Sequence, residues 1–100
     1  MEVTNQQKDS ANLISLKNLG AATVNILNAI GIRTRDDLAA VGSAQAFRLI
    51  RQRGINASLA MLYALEAALL DVHWKSLEAT LKAQLVKKVE QMDEEDKVAA

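Results

Sequence analysis

The chain is 100 residues long and half apolar, with twelve Lys or Arg balancing twelve Asp or Glu, one His, and neither Cys nor Pro. That length suits one domain and is too short for two, and it buries roughly 65% of the unfolded surface on folding, enough for a core without staples. Without Cys there are no disulfides or thiolate metal sites; no apolar run approaches the ~18 residues of a membrane span; and the polar start Met1 to Ser10 is no signal peptide, so a cytoplasmic location is expected.

The aromatics are Phe47, Tyr63 and Trp74, so the core has to be built from Leu, Ile, Val and Ala. Many Ala and Leu, no Pro, and Gly as the only strong breaker predict an all-α chain. Gly20, Gly31, Gly42 and Gly54 stand eleven or twelve residues apart and set the helix lengths of the first half. Residues 1–54 carry seven basic and four acidic residues, +3; residues 55–100 carry five and eight, −3. A dedicated nucleic-acid binder usually has a stronger basic bias.

In chain order, residues 1–9 read as a disordered lead. The domain proper is expected over 10–92, with Ser10 capping a short helix that contains Leu13 and Leu16. Leu16 to Leu27 reads as a tight turn at Asn18-Leu19-Gly20 feeding a helix over 21–30, with Val24, Ile26, Leu27 and Ile30 at helical spacing. Gly31 ends that helix as a C′ glycine. Thr34, three residues before Asp37, has the pattern of an N-cap followed by an acid in the first turn. Leu38 and Val41 face inward, and Gly42 closes this short helix. Ser43 is the next N-cap candidate. Residues 44–53 then form a helix with Ala46, Phe47, Leu49 and Ile50 toward the core and Arg48, Arg51 and Arg53 on or near its solvent side. Gly54 ends it.

Ser58 is the expected cap of Leu59 to Leu70, which is apolar nearly all round and reads as the buried central helix. Asp71 to Trp74 reads as a bend, with His73 near the C-terminus of that helix, where a cation suits the dipole. The last helix is expected over about 75–92, with Leu77, Leu81, Leu85, Val89 and Met92 in one stripe and Trp74 anchoring its start. Residues 93–100 read as an acidic tail that frays, because acids oppose the dipole at a helix C-terminus. The total is a bundle of about five helices: a helix-hairpin-helix or SAM-like first part and two longer C-terminal helices.

The ordered set Leu16-Lys17-Asn18-Leu19-Gly20, Gly31-Ile32-Arg33-Thr34-Arg35-Asp36-Asp37-Leu38, Val41-Gly42-Ser43-Ala44 and Ala46-Phe47-Arg48, then Ser58-Leu59, Leu62 to Leu69 and Trp74-x-x-Leu77, resembles the C-terminal domain of the bacterial TfoX/Sxy competence-regulator family. The similarity covers roughly residues 13–85. It implies an all-helical domain with helix-hairpin-helix character. It also implies a role in switching on genes for natural DNA uptake, alongside a cyclic-AMP-responsive activator. Full-length members of that family carry a separate N-terminal domain, which leaves two alternatives: a stand-alone short member or an excised C-terminal half. The turn with Gly-Ile-Arg-Thr also looks like the C-terminal domain of the bacterial RNA polymerase α subunit, an analogy of fold alone.

Two groups of residues are candidate sites. In the first, Asn18, Leu19, Gly20 and Thr23 present a helix N-terminus to a DNA phosphate. Its first N–H groups lack internal partners, Asn18 can adopt a left-handed conformation, and Leu19 plugs the core. Against it, Ala22 supplies no charge where phosphate binding needs cations, and the competing reading is a turn kept for packing. In the second, Arg33, Arg35, Arg48, Arg51 and Arg53 form a partner-binding group, because the planar guanidinium suits carboxylate and phosphate recognition. The competing reading is a solvated face with local pairs to Asp36 and Asp37. If Arg48 and Arg51 face solvent, reversing both charges should leave the fold intact.

Glu66 shares a face with Leu59, Leu62 and Leu69, and is expected either at the rim or bonded to a neighbouring helix N-terminus or an arginine. The lone His73 is a poor metal site. The stripe beyond Leu85 has little left to cover in a compact domain, which suggests a weak homodimer or partner contact through the C-terminal helix. With no Cys, one His, no P-loop and no paired acids in a site, an enzyme is not expected, nor any cofactor or metal. Two functions remain: a protein–protein module working with the transcription machinery or an activator protein, and a weak, sequence-independent DNA-binding hairpin domain.

Overall fold

The computed structural model describes residues 12–99. Five α-helices follow one another: α1 Ala21–Ala29, α2 Arg35–Val41, α3 Ser43–Gln52, α4 Leu59–Leu70 and α5 Ala79–Ala99. Short 3-10 turns at Leu13–Ser15 and Trp74–Ser76 precede α1 and α5. The all-α bundle of about five helices expected from composition is what forms. The expected disordered lead at 1–9 and the cap at Ser10 lie outside the described residues.

Local chemistry sets the ends of the first helices. Ile30 closes α1, and Gly31 takes φ +90°, a left-handed conformation that a side chain would strain. The Gly31 N–H then donates to the Asn28 carbonyl (3.1 Å) and the Ile32 N–H to the Leu27 carbonyl (2.9 Å), the paired bonds of a Schellman cap. At the start of α2 the Asp37 N–H donates to the Thr34 hydroxyl (3.1 Å), and the Thr34 N–H donates back to the Asp37 carboxylate (3.2 Å). This is a complete capping box. Gly42, at φ +87°, both ends α2 and caps α3, so a single residue turns the chain between them.

Helix α3 is the hub. It touches each of the other four α-helices, and Ser43, Ala44, Ala46, Phe47, Arg48 and Ile50 are all buried. Leu27, Ile32, Leu38, Ile50, Leu62 and Leu65 are the large, fully enclosed side chains around it, with Leu13 from the first turn. The central position expected for Leu59 to Leu70 therefore belongs to α3. Helix α4 buries Leu62, Leu65, Ala67 and Ala68, while Leu59 and Leu70 on its other side stay 47% and 50% exposed. A helix apolar all round can be buried all round only if neighbours exist on every side, and α3 with α5 cover one side.

Helix α4 ends at Leu70 as expected, with Asp71 left-handed at φ 58° and the Val72 N–H donating to the Ala67 carbonyl; the departures from the sequence reading lie beyond it. His73 thus lies beyond the helix end. Its Nδ1 accepts the Lys75 N–H (3.2 Å) and starts the 3-10 turn at Trp74. The last helix accordingly begins at Ala79, four residues later than expected. At its far end the expected acidic fray is absent, and α5 stays helical through Asp93–Asp96 to Ala99. Its stripe covers the chain's own core: Leu77 before the helix, Leu85 and Val89 are buried, and Leu81 and Met92 pack beside them. The strip that suggested a twin helix is thereby covered internally. Among the described residues no helix is long and apolar enough to cross a membrane.

The capping box gives a direct test of the local argument. Thr34→Ala should cost about 1 kcal/mol, lowering the melting midpoint by roughly 4–8 °C for a domain of this size. Thermal unfolding followed by circular dichroism measures it.

Candidate partner-binding surface

The hairpin turn is built as its sequence suggests but is used inwardly. Asn18 is left-handed at φ 75°, and Leu19 is buried in the core. The Asn18 side chain, however, turns to the loop after α4: its Nδ2 donates to the Val72 carbonyl (2.8 Å), and its Oδ1 accepts the Trp74 N–H (3.0 Å). Gly20 is the N-cap of α1 with extended backbone, and among the described residues no side-chain cap bonds the start of the helix. Thr23 is half-buried in its first turn. Lys17, the cation beside the turn, reaches the Asp71 carboxylate at 3.8 Å and the Asp71 carbonyl at 3.4 Å. Of the expected phosphate-contacting residues, the turn leaves Gly20 and the open N-terminus of α1 facing outward.

The five arginines do not act as one group. Arg35 donates to the Leu69 carbonyl (2.7 Å) at the end of α4, a cation where the helix dipole favours one. Arg48 is 5% exposed, which corrects its expected place on the solvent side. Its guanidinium donates to Asp93 (2.7 Å), to Asp96, and to the Gln45 side chain (2.6 Å). Arg51 adds a second bond to Asp93 (2.9 Å) and lies over the Phe47 ring at 4.8 Å. The reason is the length of α5. Because that helix continues past Val89 across α3, Asp93 and Asp96 arrive over Arg48, three residues apart on one face. Arg33 and Arg53 remain exposed. Arg51 is exposed, as expected, but Arg48 is not, and both pair with α5, so reversing the two charges should weaken the α3–α5 contact.

These contacts set the local titration. The Arg48 guanidinium, then Arg51, hold the Asp93 carboxyl below the usual carboxylate range. Asp37 is lowered too, first by the Arg33 N–H and then by its bonds with Thr34. Glu66 sits at the rim, as one of its readings had it, and accepts the Ser43 hydroxyl at 2.7 Å beside the N-terminus of α3. Among the described residues no group of three or more His, Cys, Asp or Glu is placed to hold a metal ion.

Trp74 differs from the expected core anchor. It is half-buried, so the loss expected for a fully buried Trp does not apply to it. Lys75 and Lys82 both lie 5.9 Å from its ring centre, and Lys82 also lies 5.3 Å from that of Tyr63. This cluster was not picked out from the sequence. Lys82 follows Trp74 by eight residues and Tyr63 by nineteen, so only the α4–α5 packing brings the three together.

The TfoX C-terminal domain family model matches residues 9–89, most of the chain. The chain belongs to the TfoX C-terminal domain family. Two crystal structures resemble this domain. One, an uncharacterized protein from Listeria monocytogenes in a triclinic form, is 34% identical with a TM-score of 0.75, and the match covers 83% of this chain and 94% of that one. The other, a protein of unknown function from Listeria monocytogenes in a tetragonal form, is 35% identical with a TM-score of 0.72, covering 80% of this chain and 98% of that one. No curated protein matches the chain at a significant level.

Two variants test the Arg48 cluster. Arg48→Ala leaves Asp93 and Asp96 without their main partner. With both carboxylates part-exposed, the expected loss is about 1–3 kcal/mol, below that of a fully buried pair, with faster amide exchange over 89–98 in α5. Asp93→Asn tests the sign of the pH dependence. The folded pKa lies below the unfolded value of roughly 3.9, so the pair stabilises fully above that value and its contribution disappears as the pH falls through the lower folded value. The stability gap between parent and Asp93→Asn in urea should therefore be open at neutral pH and close below about pH 4.

Proposed function

We propose that this TfoX C-terminal domain is a non-enzymatic regulatory protein. It acts in the cytoplasm by binding the transcription machinery or an activator protein, and it takes part in switching on genes for natural DNA uptake. The observation that carries the proposal is the family match over residues 9–89. The way the chain uses its ionisable groups supports it. Arg35, Arg48, Arg51, Asp37, Asp93 and Glu66 are engaged with other parts of the chain, as caps, ion pairs or hydrogen bonds. Residues so engaged build a scaffold that displays a surface, which is what a binding module needs.

A second reading is weak, sequence-independent DNA contact by the hairpin, favoured by the uncapped N-terminus of α1 behind Gly20. Phosphate binding draws its affinity from cations. Here Lys17 is drawn to Asp71 and the Asn18 amide is engaged with Val72, so protein binding is the better reading.

Deleting the gene should lower transcripts of the DNA-uptake genes and abolish transformation, and restoring it should rescue both. Unchanged transcripts would refute the regulatory role. Titrating the labelled protein with duplex DNA at low salt separates the two readings. Protein binding predicts no salt-sensitive amide shifts over 18–23, whereas large shifts there that vanish at high salt would establish DNA contact.

A further inference from the structure

We infer that the outer side of α4, joined to the Trp74 turn and the start of α5, is the docking surface, and that its occupant is an acidic, amphipathic segment of a protein partner. This deepens the protein-binding reading and rests on it.

The surface follows from helix geometry. Leu59, Tyr63 and Leu70 are spaced by four and seven residues and so lie in one stripe along α4. Leu59 and Leu70 are about half exposed, and Tyr63 is partly covered. A single exposed leucine is ordinary on any protein, but these two share a stripe with an aromatic ring that leads to a second one. Lys82 from α5 makes the join, with its ammonium over the Tyr63 ring at 5.3 Å and the Trp74 ring at 5.9 Å. Lys75 lies over Trp74 as well, at 5.9 Å. The result is a run of leucine and aromatic surface with two lysines set into it, bordered by three carboxylates: Glu66, which accepts the Ser43 hydroxyl, Asp71, which Lys17 approaches, and the exposed Glu78.

The two lysines that no described carboxylate pairs with point to the occupant. Among the described residues, the ion pairs to carboxylates use Lys17, Arg48 and Arg51. Lys75 and Lys82 instead rest on rings. An ammonium over an aromatic face is positioned, and its outer side can still meet a carboxylate. The leucines call for apolar side chains and the lysines for acids, at intervals that one helical segment can supply. A nucleic acid fits less well. It would offer phosphates to two lysines and nothing apolar to Leu59 or Leu70, and phosphate affinity needs several cations.

Trp74 is the only tryptophan of the chain, so its fluorescence reports directly on the surface. The test uses the full chain and three probes: a peptide of repeated Glu-Leu-Glu-Glu-Leu, the same peptide with every Glu replaced by Lys, and a single-stranded oligonucleotide. The acidic peptide should change Trp74 fluorescence saturably and shift the amides of residues 59, 63, 70 and 75. The double variant K75E/K82E should weaken it about tenfold. L59S/L70S alters only part-exposed side chains, so it keeps the fold and should weaken the peptide similarly. An absent response, unchanged affinity in both variants, or equal binding of the Lys peptide or the oligonucleotide would overturn the assignment. Failure here is separable from failure of the regulatory role. If K75E/K82E loses the peptide but still activates the DNA-uptake genes, this surface is the wrong one. If the deletion strain transcribes those genes normally, the regulatory role falls whatever the peptide does.

Discussion

The guanidinium of Arg48 lies buried between α3 and α5, and a buried cation without partners would destabilise the fold severely. Asp93, Asp96 and Gln45 supply those partners. Two of them come from the far end of α5, so that helix must remain helical well past its last buried residue, Val89. Acids near a helix C-terminus oppose its dipole, and in isolation this stretch would unravel. A cation from another helix reverses the local balance. The continuation of α5 past Val89 follows from that pairing across α3.

Features whose causes lie within a few residues were legible in the sequence. The capping box at Thr34 and Asp37 and the left-handed Gly31 and Gly42 at helix ends each depend on neighbours a few positions away. The direction of Arg48 was not legible, because periodicity says which side of a helix a residue occupies and not what lies opposite. A clue was present: Arg48 and Arg51 stand three apart, as do Asp93 and Asp96, a complementary pair of pairs. The rank of the helices was misread for a similar reason. Helix α4 is the more apolar, but α3 is the helix that touches each of the other four.

The hairpin shows how one turn can keep its backbone and change its task. Its left-handed Asn and buried Leu match a phosphate-binding turn. The Asn18 amide instead bridges the Val72 carbonyl and the Trp74 N–H, 54 and 56 residues on. Those two backbone groups sit just beyond a helix end, where donors and acceptors lack intrahelical partners. Asn18 satisfies both and fixes the loop that carries Trp74. The turn proposed to touch DNA therefore also fixes the backbone at Trp74, within the surface inferred for a protein partner.

That link bears on the inferred docking surface, which has only two lysines. A flexible lysine loses side-chain entropy when it pairs, which is why exposed ion pairs add little. Lys82 is already held between Tyr63 and Trp74, and Trp74 is held by Asn18. Much of the ordering that binding would demand is done during folding, so less is lost on association. On the inferred surface a partner's carboxylate would meet an ammonium already resting on part-buried rings, beside half-exposed leucines. Aromatic anchors of that kind carry a large share of the energy in protein interfaces.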